Sequence, residues 1–171
     1  CRSDAIFLSI ARNYVQQPLM AKTRSRKDLI TIITMKGDAK VVLECEPTDW
    51  ELYNKLIDMR EWSLMRPSGH GNYIPALDEA ERMLMKNTGG KCALSLLFFS
   101  DGKPSENSLN RYDFSNRMGS IASKFGRRLT VSCIGMAEEG EDFSILSDMA
   151  TEARSFGAIA SFGKPTLDAD S

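Results

Sequence analysis

The chain has 171 residues, of which 42% are hydrophobic and 26% charged, and its 22 basic and 23 acidic residues give a net charge of −1. This length suits one domain with a sizeable core, and the balanced charge argues against binding to nucleic acid or to an anionic membrane surface. No stretch approaches the roughly 18 apolar residues of a membrane-spanning helix, and the N-terminus lacks a signal-peptide pattern, so we expect a soluble cytoplasmic protein.

Apolar periodicity and turn residues predict helices that alternate with strands. In chain order the predicted elements are a helix over 4–17 ended by Pro18, a strand over 29–35, an antiparallel edge strand over 40–44, a helix that begins at Thr48 or Asp49, a helix over 74–86, a strand over 93–99, a helix over 112–125, a strand over 129–135, a helix opened by Asp142 and a strand over 158–162. The sequence therefore predicts an α/β fold, a Rossmann-like three-layer α/β/α sandwich with a mostly parallel sheet and one antiparallel edge strand. We expect a single domain over 1–163 and a C-terminal tail over 164–171.

The cysteines and the single histidine limit the possible metal and redox chemistry. The four cysteines form no Cys-x-x-Cys pair, which favours small buried thiols in a reducing compartment over a disulfide framework or a zinc site. Because His70 is the only histidine, a histidine-rich metal site is excluded, and His70 is the only imidazole available to a catalytic triad.

The strand over 93–99 is apolar without alternation, which is typical of a strand buried on both faces, and it leads directly into Ser100, Asp101 and Gly102. Ligands of open α/β sheets bind just beyond the carboxyl ends of such strands. Asp101 therefore stands where a carboxylate can hold a cation or contact a ligand. The alternative is an Asp-Gly turn, in which the carboxylate only accepts backbone N–H groups.

Three segments, in the same order along the chain, resemble the von Willebrand factor type A (vWA) domain. The first, Gly69–Leu77, resembles the family's Gly-Gly-Thr-Asn-Tyr loop and the helix that follows it. The second, Leu97–Gly102, resembles its strand that ends in Thr/Ser-Asp-Gly. The third, Val131–Gly135 with Asp142, Leu146 and residues 150–157, resembles its later strand and closing helix. The resemblance implies a protein-interaction module with Mg²⁺ at a metal-ion-dependent adhesion site. Its ligands would be an Asp-x-Ser-x-Ser loop, a Thr and an Asp, and an open coordination position would accept a carboxylate of the partner.

The chain departs from the family pattern in two places. It contains no Asp-x-Ser-x-Ser motif, and Gly71, which has no hydroxyl, stands at the position of the family's Thr. Asp101 is then the remaining metal ligand, so we expect Mg²⁺ binding to be weak or absent. The family's central strand, flanked by the counterparts of strands 29–35 and 94–99, is also missing. Because its absence leaves two apolar strand edges unpaired, we expect a hydrophobic strand before Cys1 in a longer protein.

We predict a protein-binding module rather than an enzyme, with the partner at the carboxyl edge of the sheet formed by residues 68–73, 100–105 and 136–141. The predicted metal ligand is Asp101, and the predicted ligand- or partner-binding residues are Ser68, His70, Gly71, Asn72, Ser100 and Gly102. Loop capping by Ser68 and Asn72, and simple exposure of His70, are the structural alternatives. Two other functions stay open, a small α/β metal-assisted hydrolase that uses Asp101 and a metal-free scaffold domain.

Overall fold

The structure is a computed structural model that describes residues 2–21, 28–59, 71–86, 92–106, 108–136 and 140–164. The chain divides into two compact units, Cys1–Gly69 and His70–Ser171, which we treat one at a time. The prediction of a single domain over 1–163 stays a prediction, and most of the predicted tail lies outside the described residues. No helix in the described part of the chain is long and apolar enough to cross a membrane.

The first unit packs helices against a β-hairpin. Its elements are α1 (Arg2–Ser9), a π-helical segment (Ile10–Gln16), α2 (Gln17–Met20), β1 (Leu29–Met35), β2 (Ala39–Pro47) and α3 (Trp50–Met59). Strands β1 and β2 pair antiparallel. The buried core of this unit consists of Phe7, Ala11, Val15, Leu43, Leu52, Leu56 and Met59.

The N-terminal helical segment differs from the prediction in length and in the residue that it buries. It continues past Pro18 to Met20, and Pro18 lies in the first turn of α2. The wider turn of the π-helical segment brings Val15 into the core instead of Tyr14, which is 43% exposed.

A bulge in the hairpin carries β2 beyond its predicted end at residue 44. Cys45 adopts a left-handed conformation with φ 50°, and its N–H donates to Thr31 Oγ1 at 3.1 Å. The pairing register shifts at the same place, between Ile30 and Ile32. The expectation of buried thiols is correct for Cys133, and burial raises the pKa of this thiol to about 12. The expectation is wrong for Cys45, which is half-buried, and for Cys92, which is exposed.

The second unit alternates helices with parallel strands. Its elements are α4 (Tyr73–Met85), β3 (Leu94–Ser100), α5 (Arg111–Phe125), a 3₁₀ turn (Gly126–Arg128), β4 (Leu129–Gly135), α6 (Ser144–Ser155) and β5 (Ile159–Gly163). The sheet order is β3-β4-β5, and both ladders are parallel. The predicted inward side chains of the last two helices are all buried, namely Phe114, Met118, Ile121, Ala122, Phe125, Leu146, Ala150 and Ala153.

One face of this parallel sheet is covered better than the other within the unit. Along β3, Leu94 and Phe98 are buried on one face, whereas Ser95 is exposed on the other, so the predicted burial of this strand on both faces holds for one face only. Buried and half-buried residues also alternate along β4. The covered face is the one on which Tyr73 packs against Phe98 and Phe143 against Phe162.

The structure confirms the α/β class. Its strands form two sheets, the parallel β3-β4-β5 sheet and the antiparallel β1-β2 pair, so the antiparallel strand lies in a hairpin and not at the edge of the parallel sheet. The vWA resemblance places β1 and β3 on either side of a central strand. Among the described residues no strand pairs with both of them.

Candidate functional site

The carboxyl ends of β3 and β4 lie side by side and define the edge at which the sequence predicts a site. The backbone N–H of Met136, which follows β4, donates to the carbonyl oxygen of Ser100 at 2.8 Å. We call residues 101–106, which follow β3, the Asp101 loop, and residues 71–73, which open α4, the Gly71 turn.

Asp101 is exposed, and one of its two carboxylate oxygens is engaged within the loop. Its Oδ1 accepts the backbone N–H of Lys103 at 3.1 Å and lies 3.4 Å from the hydroxyl of Ser100. The turn-capping alternative is therefore observed. Its Oδ2 has no hydrogen-bond partner among the described residues, so the same carboxylate also presents one oxygen to a ligand.

Ser100 links Asp101 to a buried tyrosine. The hydroxyl of Tyr73 hydrogen-bonds to Ser100 Oγ, which also accepts the N–H of Gly102 at 3.1 Å. Burial raises the pKa of Tyr73 well above its ordinary value, and the hydrogen bond to Ser100 lowers it only in part. Tyr73 is therefore protonated at neutral pH.

The Asp101 loop is tied to the Gly71 turn by backbone and side-chain bonds. Gly71 N–H donates to Ser105 Oγ at 3.1 Å, and Ser105 N–H donates to the Gly71 carbonyl at 3.2 Å. Glu106 Oε1 accepts the N–H of Ile74 at 2.8 Å and so caps the first turn of α4. Asn72 occupies the N-cap position but makes no side-chain capping bond.

Glu106 also carries a buried oxygen without a partner. Its Oε2 is shielded from solvent and makes no hydrogen bond to any described residue. An unsatisfied buried carboxylate oxygen is costly, so this atom is a further place where a hydrogen-bond donor would be stabilised.

The loop before α6 packs directly on the Asp101 loop. Gly102 has φ +84°, and a Cβ built on it would lie 2.5 Å from the Asp142 carbonyl oxygen. Lys103 forms an ion pair with Glu141 at 2.6 Å. The predicted residue Gly102 therefore contributes its backbone, because only glycine permits this close approach.

Five predicted site residues lie at this edge, and two lie outside the described residues. The first group is Gly71, Asn72, Ser100, Asp101 and Gly102, and the second is Ser68 and His70. Their roles in binding stay predictions. Sequence reasoning missed Ser105 and Glu106 as residues that hold the edge together, because their partners lie 34 and 32 residues away and no local pattern marks such contacts.

The described residues do not provide a complete set of ligands for Mg²⁺. Within the described ranges no group of three or more histidine, cysteine or acidic side chains is placed to hold a metal ion. Gly71 offers no hydroxyl, and the oxygens of Ser100 and Ser105 already accept backbone N–H groups. Asp101 Oδ2 is the open carboxylate oxygen, and Mg²⁺ bound through one carboxylate retains several waters.

Comparisons with known proteins give a likeness in fold. No protein-family model matches the chain. No curated protein matches it either. Among solved structures, it is similar to the conserved hypothetical protein BatB from Bacteroides thetaiotaomicron, with a TM-score of 0.62 and 16% sequence identity over 95% of this chain and 79% of that one. At this identity the likeness shows a shared fold.

Proposed function

We propose that this chain is a protein-interaction module of vWA type, whose partner binds at the edge formed by the Asp101 loop and the Gly71 turn. The observation that carries the proposal is the open Oδ2 of Asp101 on a loop that is bonded to the first turn of α4 through Ser105 and Glu106. A site whose loops are already ordered loses less entropy when it binds. The motif resemblance supports the same function.

A weakly bound, hydrated Mg²⁺ is part of the proposal. Asp101 would hold the cation, and the cation would supply a positive charge for a carboxylate of the partner. We propose binding and no catalysis at this edge. The protonated Tyr73 cannot act as a general base toward the neighbouring Ser100, and this supports binding over nucleophilic catalysis by this pair.

Site-specific photo-crosslinking tests where the partner binds. A photoreactive residue is placed at Lys103, in the Asp101 loop, and in a second variant at Phe156, which is 50% exposed at the opposite end of α6. We expect capture from Lys103 but not from Phe156, and we expect Asp101→Asn to reduce it. Asparagine keeps an oxygen for the Lys103 N–H, so the loop is preserved while the charge is lost.

Two results would contradict the proposal. The first is crosslinking that does not depend on this edge. It would appear as equal capture from Lys103 and Phe156, or as capture that Asp101→Asn leaves unchanged. The second is Mn²⁺-dependent hydrolysis of a model phosphate ester that Asp101→Asn abolishes, because this would favour the metal-assisted hydrolase.

A further inference from the structure

We infer that Tyr73 is a positioning residue, whose buried hydroxyl acts through Ser100 to hold the Asp101 carboxylate in one orientation. In that orientation Oδ2 is the one oxygen that Asp101 presents to a ligand. The inference rests on the proposed function for the role of Asp101, and it adds the residue that determines how this carboxylate is presented.

The ring of Tyr73 is fixed by packing, so its hydroxyl has a defined place. Tyr73 is 1% exposed, and its ring meets Phe98 at 5.0 Å and Phe114 at 5.4 Å between centroids, both edge-on. A phenylalanine would make the same ring contacts. The hydroxyl is a buried polar group, which costs free energy unless it is hydrogen-bonded, and its hydrogen-bond partner is Ser100.

The direction of the hydrogen bonds follows from the donors present. Ser100 is the only hydrogen-bond partner of the buried Tyr73 hydroxyl among the described residues, whereas Ser100 also has Asp101 Oδ1 as an acceptor, so we assign the Tyr73 hydrogen to Ser100 Oγ. The Gly102 N–H donates to the same oxygen at 3.1 Å. These two bonds use both lone pairs of the hydroxyl. The hydrogen of Ser100 is then left for Asp101 Oδ1, 3.4 Å away.

The consequence for Asp101 is that its two oxygens differ. Oδ1 receives the Ser100 hydroxyl and the Lys103 N–H, whereas Oδ2 has no hydrogen-bond partner among the described residues. Without these bonds an exposed aspartate samples several side-chain rotamers. The arrangement favours a ligand that needs one carboxylate oxygen over a guanidinium that needs both.

The test compares Tyr73→Phe, Ser100→Ala and Ser100→Thr with the unchanged chain by NMR. Three-bond couplings across χ1 of Asp101 report its rotamer populations. We expect one dominant rotamer in the unchanged chain and in Ser100→Thr, which keeps the hydroxyl, and averaged couplings in Tyr73→Phe and Ser100→Ala. Tyr112→Phe is the matched control, since Tyr112 is 68% exposed, and it leaves the couplings unchanged.

The same variants give a second readout with Mn²⁺ as the probe. Loss of one hydrogen bond corresponds to a roughly three- to tenfold weaker affinity for Mn²⁺. We expect this loss of affinity in Tyr73→Phe and no change in Tyr112→Phe. If Tyr73→Phe fails to fold, the loss of the single rotamer in Ser100→Ala and its retention in Ser100→Thr carry the test.

Unchanged Asp101 couplings in a folded Tyr73→Phe variant overturn the inference, even if the variant melts at a lower temperature, since that would show a structural role only. Averaged couplings in Ser100→Thr overturn it as well. If the couplings follow the expectation but the unchanged chain binds no Mn²⁺, the metal part of the proposed function fails while the positioning role of Tyr73 stands.

Discussion

Gly102 packs the Asp101 loop against the loop before α6 through its backbone, and alanine at this position has no room. It combines φ +84° with a Cβ position 2.5 Å from the Asp142 carbonyl oxygen, whereas Gly140 has φ +97° and open space around its Cβ position. We expect Gly102→Ala to lower the free energy of unfolding by about 3 kcal/mol and Gly140→Ala by about 1 kcal/mol, measured by urea denaturation. Equal losses would show that the backbone angle alone matters and that the close approach does not.

Glu106 is the second residue whose role can be tested by substitution. Glu106→Ala removes the acceptor for the Ile74 N–H, and we expect it to lower the free energy of unfolding by about 1–2 kcal/mol. Glu106→Gln keeps an acceptor oxygen and replaces the unpartnered Oε2 with a donor, so we expect a change within about 0.5 kcal/mol. Urea denaturation measures both, and a stable Glu106→Ala variant would contradict the capping role.

These residues also show how much of the site could be predicted. Asp101 and Gly102 could be found because the end of an apolar strand and an Asp-Gly turn are local signals. Ser105 and Glu106 could not, because their hydrogen bonds join loops that are separated by a helix and a strand. Whether Asp101 binds a ligand stays a prediction.

At the scale of the elements, prediction succeeds where a local pattern decides the structure. The bounds of β3 and β4 agree with the predicted strands to within one residue. Helix α5 begins at a capping box, in which Asn110 accepts the Tyr112 N–H and Asp113 accepts the Asn110 N–H. The π-helical segment and the bulge at Cys45 were missed because tertiary packing, and not local periodicity, selects them.

Helices α4 and α5 are joined by an ion-pair network that gives a pH-dependent prediction. Glu81 accepts hydrogen bonds from Arg117, at 2.5 Å, and from Lys124, and its side chain is 12% exposed. Burial raises the pKa of Glu81, but these two hydrogen bonds outweigh it and leave the pKa below the ordinary value of 4.5. Because the pKa is lower in the folded state, the stabilisation is present above about pH 4.5 and is lost as the pH falls through the folded pKa.

We therefore expect Glu81→Gln to lower the free energy of unfolding by about 1 kcal/mol at pH 7, and we expect the difference to shrink below pH 4.5. Urea denaturation at pH 7 and at a strongly acidic pH measures it. The exposed Glu51 of α3 is the control, since Glu51→Gln removes no such network. A difference that is the same at both pH values would contradict a role for the ionised carboxylate.

For the whole molecule, the sequence predicts the fold class better than the pairing of its strands. Alternating helices and strands are local signals, and they lead correctly to the α/β class. The division into two sheets depends on which strands meet across long stretches of chain, and local periodicity does not contain this information.

The proposed cation site leads to a prediction for hydrogen exchange across both units. A ligand that binds the folded state only stabilises it, by about 1.4 kcal/mol when its concentration is tenfold above the dissociation constant. With Mn²⁺ as the probe, we expect slower hydrogen exchange in peptides that cover residues 71–73 and 100–103, and no change in the β1-β2 hairpin. Asp101→Asn is the control and abolishes the effect. Protection that persists in Asp101→Asn would place the cation elsewhere, and no protection in the unchanged chain would contradict the cation part of the proposal.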